Sequence, residues 1–221
     1  MIDLIKLWDD ELVEMHIGTE INYIKDFFKD KTKLSYIDIG ANVGKFYDVL
    51  SKTYEIEKVV MVEPAPKLFE YISEKFKHIQ NCKMYDFAIS DESGETFFQT
   101  HSLDNSTNEH INMGVSKIHE NEGHRIKMVS GLDFLKNYVN DIEEYDFIKI
   151  DTENYDYQII KSITNVISQL NKKPFILFEH NYHNSISEEE AKKILNDFIE
   201  NCGYEQLNFE TLNGDCYIKP L

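Results

Sequence analysis

From residue 34 onward, short and nearly continuous apolar runs alternate with longer amphipathic segments. Residues 34–39, 58–62 and 82–89 have the length and composition of buried strands. Residues 45–54 and 67–76 lie between them and carry apolar side chains at helical spacing, with Leu68, Phe69, Ile72 and Phe76 on one face. Strand, helix, strand, helix, strand with apolar strands is the pattern of an α/β protein whose parallel sheet is covered on both faces.

The second half continues in kind. Residues 95–100 read as an extra strand after the turn Asp91-Glu92-Ser93-Gly94, and 125–129 as another, followed by a helix over 132–139 started by Ser130. Residues 145–150 are the strongest later strand. The helix predicted over 157–170 turns Ile159, Ile160, Ile163, Val166, Ile167 and Leu170 inward, and 175–178 is a strand stopped by Glu179 and His180. Ser187 and Glu190 form a capping box opening a helix that runs to about Asn201 and ends at Gly203. Residues 204–210 and 215–219, joined by Thr211-Leu212-Asn213-Gly214, read as a hairpin, so the parallel sheet closes with antiparallel strands.

Two regions depart from this rhythm. Residues 101–123 lose periodicity and are rich in Asn, His, Ser and Glu. A connector of that size is either a substrate-facing loop or lid, or a surface excursion. Residues 1–33 are expected to be helical, with Leu4, Leu7, Trp8, Leu12 and Met15 in one set and Ile21, Ile24, Phe27 and Phe28 in a second, separated at Gly18. They form an extension, 1–33, ahead of a domain spanning 34–221, and serve as a cap on the sheet edge or a lid over a pocket.

Composition narrows the function. Lys and Arg number 23 against 40 Asp and Glu, a formal net charge of −17, while 42% of residues are hydrophobic and 13% aromatic. Such a chain folds, but its charge disfavours a broad grip on a nucleic-acid backbone or an anionic membrane. No apolar run is long enough to span a bilayer, and the opening residues lack a cleavable signal layout. The three cysteines, Cys82, Cys202 and Cys216, have no ligand spacing and read as reduced thiols. The expectation is a cytoplasmic protein with neither nucleic acid nor membrane as partner.

The sharpest local signal is Tyr36-Ile37-Asp38-Ile39-Gly40-Ala41-Asn42-Val43-Gly44. A strand ends in an acid, a glycine-containing turn follows, and a helix begins; glycines there permit a tight turn and close approach of a ligand. Glu63 ends the next strand, where a carboxylate can accept hydrogen bonds from two ribose hydroxyls. The turn lacks the GxGxxG layout of dinucleotide sites, and the chain has no GxxxxGK[ST]. Asp38 beside the turn suits a cationic or amino-bearing ligand better than a phosphate. The pattern favours a nucleoside-binding α/β site.

Asp38 to Gly44, followed by Glu63-Pro64-Ala65-Pro66-Lys67-Leu68-Phe69, resembles the FkbM family of S-adenosylmethionine-dependent methyltransferases. Ala88-Ile89-Ser90-Asp91 with Gly94 looks like that family's third strand and turn. Phe147-Ile148-Lys149-Ile150-Asp151-Thr152-Glu153 looks like its Lys-x-Asp-x-Glu motif, which family members continue with Gly and Glu where this chain has Asn154 and Asp156. The resemblance implies a class I methyltransferase (Rossmann-like) fold: a seven-stranded mixed sheet with helices on both faces, here with an N-terminal helical extension. It implies S-adenosyl-L-methionine as cofactor and a hydroxyl of a small molecule, sugar or glycan as acceptor. Asp38, Gly40, Asn42 and Gly44 would form the methionine side of the cofactor pocket, Glu63 would hold the ribose, and Asp86, Phe87 and Ala88 would frame the adenine.

For the acceptor's proton the strand ends offer Asp151, Glu153, Glu179, His180 and His183, with Lys149 able to orient Asp151. Histidine's near-neutral reference pKa lies in the range useful for a general base, which makes His180 a candidate. Asp151, Glu179 and His180 have metal-type donors, but the paired acid–amide pattern of metal-dependent methyltransferases is absent and no metal is expected. The histidines His101, His110, His119 and His124 lack zinc spacing. The alternative function is a catalytically degenerate methyltransferase fold serving as a binding or scaffold protein.

Overall fold

The computed structural model describes residues 11–99, 117–119, 124–152, 155–180, 186–207 and 215–221. Helix α1 (Glu11–Phe27) leads into β1 (Lys33–Ile39), α2 (Lys45–Leu50), β2 (Glu55–Val62), α3 (Pro66–Phe76) and β3 (Cys82–Tyr85). Then come β4 (Ala88–Ser90), β5 (Gly94–Gln99), β6 (Lys117–His119), β7 (His124–Ser130) and α4 (Gly131–Asn137). The chain continues with β8 (Phe147–Ile150), α5 (Asp156–Ile167), β9 (Phe175–Glu179), α6 (Glu188–Cys202), β10 (Tyr204–Leu207) and β11 (Asp215–Pro220).

Seven strands form one sheet in the order β3-β2-β1-β8-β9-β11-β10. The first five are parallel; β11 runs antiparallel to β9, and β10 antiparallel to β11. This is the mixed seven-stranded sheet expected from the sequence, including the closing hairpin. Alternate residues of each strand serve opposite faces. Ile37, Ile39, Val60, Val62, Ile148, Ile150, Ile176 and Phe178 join one core with Phe134 of α4, Ile159, Ile160 and Ile163 of α5 and Ile194, Leu195 and Phe198 of α6. On the other face Leu34, Tyr36, Val59, Met61, Phe147, Phe175 and Leu177 pack with Ile21 and Ile24 of α1, Phe46 of α2 and Ile72 and Phe76 of α3.

Several local signals act as the sequence implies. The Ser187 side chain accepts from the Glu190 N–H at 3.2 Å, and Gly203 closes α6 in a left-handed conformation with φ 66°. Ser130 caps α4 by accepting from the Asp133 N–H at 3.0 Å.

Four expectations are corrected. The single strand predicted over 82–89 is two: β3 belongs to the main sheet, whereas β4 joins β7, β5 and β6 in a separate four-stranded sheet. The break falls at Asp86 and Phe87. The Tyr85 carbonyl takes its bond from the Glu63 N–H at 3.0 Å, and Phe87 then turns into an aromatic cluster with Tyr85, Phe134 and Tyr138. Within the stretch 101–123, β6 pairs antiparallel with β5; the rest of it lies outside the described residues. Gly18 does not divide two helices, since α1 runs through it. A glycine in a helix costs about 0.5–1 kcal/mol, and the burial of Ile21, Ile24 and Phe28 on the sheet outweighs that. Those contacts place α1 across a face of the sheet and not at its edge; Phe28 meets Phe147 and Phe175, and Tyr23 meets Tyr217.

Candidate functional site

Because β1, β2, β8 and β9 are parallel, Asp38, Gly40, Glu63, Asp151 and His180 all come to the same carboxyl edge of the sheet. The turn after β1 leaves ordinary backbone space three times, with φ of 86° at Gly40, 50° at Asn42 and 72° at Gly44. It is pinned to β2 by the Gly40 and Ala41 N–H groups, which donate to the Val62 carbonyl at 2.9 and 3.0 Å. Gly44 is needed for space as well as conformation, since a Cβ there would lie 2.2 Å from the Phe76 ring.

Glu63 is 5% exposed and bridges two turns. Its Oε2 accepts from the Asn42 N–H and its Oε1 from the Ala65 N–H, both at 2.8 Å. Burial pushes its carboxyl up to about 7, although both backbone donors favour the ionised form; Asp38 and Asp151 add to the rise. Each oxygen keeps one lone pair beyond its backbone bond.

Asp38 is fully buried, and neither of its oxygens has a hydrogen-bond partner among the described residues. Its register partner across the β1–β8 ladder is Lys149. The Lys149 Nζ lies 3.6 Å from Asp38 Oδ1 and 3.0 Å from Asp151 Oδ2, and 5.5 Å over the Phe46 ring. Burial raises the Asp38 carboxyl above its usual range, Lys149 opposes this, and Asp151 adds to it. Burial also works against the charge of Lys149, but Asp151, Asp38 and Glu20 outweigh it, so the ammonium is held charged. The Asn42 Oδ1 is a further buried acceptor with no partner among the described residues.

Beyond β8, Asp156 is fully buried and accepts from both the N–H and the hydroxyl of Thr152, at 3.4 and 3.2 Å. Where the family pattern has a glutamate, this shorter acid ties the end of α5 to the turn carrying Asp151. Burial raises its carboxyl well above the usual range, and Asp151 and Glu179 reinforce the shift. At the end of β9, His180 Nδ1 is hydrogen-bonded to the hydroxyl of Tyr157, a buried residue in the first turn of α5.

The structure thus gathers Asp38, Gly40, Asn42, Gly44, Glu63, Lys149 and Asp151 around one turn. Asp86, Phe87 and Ala88 follow β3 along the same edge, Asp86 exposed and the other two buried, with Lys127 Nζ 5.2 Å over the Phe87 ring. His180 stands apart at the end of β9, and Glu153, with His183, lies outside the described residues. Among the described residues no three His, Cys, Asp or Glu side chains are grouped to hold a metal. Glu20, Tyr157 and Asp156 were not singled out by sequence reasoning. Asp156 was visible only as a departure from the family pattern, and nothing local on its helix marks Glu20 as a buried acid.

A model of the methyltransferase FkbM domain matches residues 38–205. The chain belongs to the FkbM methyltransferase family. That family uses S-adenosylmethionine, and the sheet order agrees with its class I fold. A methyltransferase FkbM from Methylobacillus flagellatus superimposes with a TM-score of 0.55 at 14% identity, over 85% of this chain and 44% of that one. The match therefore covers less than half the length of that FkbM relative. A putative methyltransferase from Streptococcus mutans, in complex with SAH, gives a TM-score of 0.49 at 12% identity over 91% and 97% of the two chains. No curated protein matches the sequence.

Proposed function

We propose that this FkbM-family chain is an S-adenosylmethionine-dependent O-methyltransferase acting on a hydroxyl of a small molecule, sugar or glycan. Its place is the cytoplasm, with no nucleic acid or membrane partner, in keeping with its net charge of −17. One observation carries the reading above the others: Asp38, fully buried at a strand end beside the glycine turn, with two oxygens that lack hydrogen-bond partners among the described residues. A buried carboxylate in that state fits a ligand bringing ammonium donors. The Asn42 Oδ1 offers a third acceptor in the same turn.

The residues around it have roles that fit the cofactor. Gly40, Asn42 and Gly44 hold the turn open at its methionine end. Glu63, fixed by two backbone donors, presents its remaining lone pairs to the ribose hydroxyls. Asp86, Phe87 and Ala88 frame the adenine. When bound, S-adenosylmethionine supplies an already activated methyl group, so the acceptor needs only alignment, exclusion of water and an outlet for one proton.

His180 is that outlet in this reading. Its Nδ1 is engaged by Tyr157; with Nδ1–H donating to the tyrosine oxygen, Nε2 keeps a lone pair for the acceptor's hydroxyl proton. Asp151, neutralised in part by Lys149, orients the acceptor hydroxyl, and Glu153 belongs to the same motif.

Calorimetric titration with S-adenosylmethionine, S-adenosylhomocysteine and NAD in parallel tests the cofactor. Binding by the first two is expected, Asp38→Ala losing more affinity than Glu63→Gln; binding of NAD alone overturns the reading. Cofactor binding without methyl transfer to any hydroxyl across a panel of small molecules and sugars would favour the alternative, a binding or scaffold protein.

A further inference from the structure

The turn after β1 is tied down from two directions. Its first half is held to β2, with the Gly40 and Ala41 N–H groups on the Val62 carbonyl and the Asn42 N–H on Glu63. Its second half is held from α3. Lys75, in the last turn of that helix, donates from Nζ to the Val43 carbonyl at 3.0 Å. The same ammonium lies 2.5 Å from Asp48 Oδ2 on α2, and 5.6 and 5.1 Å over the Tyr71 and Phe76 rings. Phe76 is also the ring that leaves no room for a side chain at Gly44.

Val43 and Gly44 share the peptide that most needs such a hold. A peptide plane turns over by rotating ψ of the residue before it and φ of the residue after it, and glycine resists that rotation least. At Gly44, φ is 72°. In the observed orientation the Gly44 N–H donates to the Ala41 carbonyl at 2.8 Å and the Val43 oxygen faces Lys75. Turning the plane over breaks both bonds and alters the path of the chain between Asn42 and α2.

We propose that Lys75 is a positioning residue of the cofactor site: held by Asp48, it fixes the Val43–Gly44 peptide and so keeps the glycine turn in the shape that binds the cofactor's methionine end. The proposal rests on the cofactor reading above. The effect is on shape more than on stability. The Lys75 and Asp48 side chains are 22% and 32% exposed, and an ion pair so placed adds little to folding. What it changes is the fraction of molecules whose turn is ready for ligand, and apparent affinity falls in proportion to that fraction.

The test compares the wild type, Lys75→Met and Lys75→Arg by calorimetric titration of the full chain with S-adenosylhomocysteine, and by amide hydrogen exchange of the free proteins. Methionine keeps a stem against the two rings and removes the donors. Lys75→Met should weaken binding by about fivefold or more. Its Gly44 amide should lose most of its protection, while those of Ile37 and Val60 in the central strands keep theirs. Lys75→Arg, which keeps donors for both Val43 and Asp48, should recover part of both. Wild-type affinity in Lys75→Met, or weaker binding with the Gly44 amide as protected as in the wild type, overturns the role of Lys75 and leaves the cofactor assignment standing. Failure of the folded wild type to bind S-adenosylhomocysteine overturns both. Should Lys75→Met not fold, Asp48→Asn is measured in its place: both readouts are expected to move the same way, and a wild-type result in either overturns the proposal.

Discussion

Gly40 stands directly against the backbone of Asp151: a Cβ at position 40 would lie 1.8 Å from the Asp151 carbonyl oxygen. The Asp151 N–H in turn donates to the Ile39 carbonyl at 2.9 Å, so the turns after β1 and β8 are one unit. Both sterics and the φ of 86° forbid a side chain at Gly40. Gly40→Ala must push the two turns apart, at a cost above about 3 kcal/mol. It should lower the urea midpoint and abolish measurable cofactor binding in whatever remains folded. An unchanged midpoint would contradict the contact.

Glu63 predicts a pH dependence of stability. Its carboxyl is raised from 4.5 to about 7 in the folded chain. A raised acid binds its proton more tightly when folded, so its contribution is fully present below about pH 4.5 and is lost as pH rises through 7. The loss amounts to about 3 kcal/mol for a shift of this size. Asp38, Asp156 and Glu20 shift in the same direction. The ligand-free protein should therefore melt at a higher temperature at pH 5.5 than at pH 8, and Glu63→Gln should flatten that slope while weakening cofactor binding. Equal slopes in the two proteins would assign the pH dependence to other groups.

Much of this arrangement is legible in the sequence because its causes are local. The β1 turn, the Ser187–Glu190 cap, the Gly203 stop and the closing hairpin each depend on a few neighbouring residues whose chemistry admits one conformation. Asp38 and Glu63 were readable for the same reason, as acids ending strands that had to be parallel. What escaped depends on distant partners. Nothing within residues 82–89 states that Phe87 will leave the main sheet for Phe134 and Tyr138. The pairing of β5 with β7 joins segments separated by a long stretch without periodicity. Glu20 looks like one more polar residue on an amphipathic helix until the helix is laid across the sheet and the side chain is buried.

Asp156 is a case in which a departure from the family pattern proves to be a working part. Its two oxygens hold the Thr152 N–H and hydroxyl, fixing the turn that follows Asp151. Asp156→Ala leaves both partly buried donors without that acceptor and should destabilise the chain by about 1–3 kcal/mol. Asp156→Asn, which keeps one acceptor oxygen, should cost less. Chemical denaturation of the two variants decides this; equal stabilities would mean that the Thr152 contacts contribute nothing.

Tyr157 bears on turnover and not on cofactor affinity, given the role proposed for His180. Tyr157→Phe removes the hydroxyl that holds Nδ1 and frees the ring's tautomer and orientation. Turnover should drop by about tenfold or more, while His180→Ala falls within the 10²–10⁴ range of a lost general base. The wild-type rate should rise from pH 6 to 8, and that rise should disappear in His180→Ala. Wild-type turnover in His180→Ala at pH 7 would move the proton outlet to Asp151, Glu153 or water.

Gly18 gives a prediction of the opposite sign. It lies inside α1, has no positive φ, and a Cβ there would meet nothing within 4 Å. The mutation to alanine adds helix propensity and removes freedom from the unfolded chain without straining the folded one, which is worth about 0.5–1 kcal/mol. Gly18→Ala should therefore raise the melting temperature by a few degrees. The same change separates a continuous helix from the break between two helices that the sequence suggests. A break between helices needs glycine's freedom and would lose stability on substitution, whereas a helix that continues through position 18 and is fastened beyond it by Ile21, Ile24 and Phe28 gains.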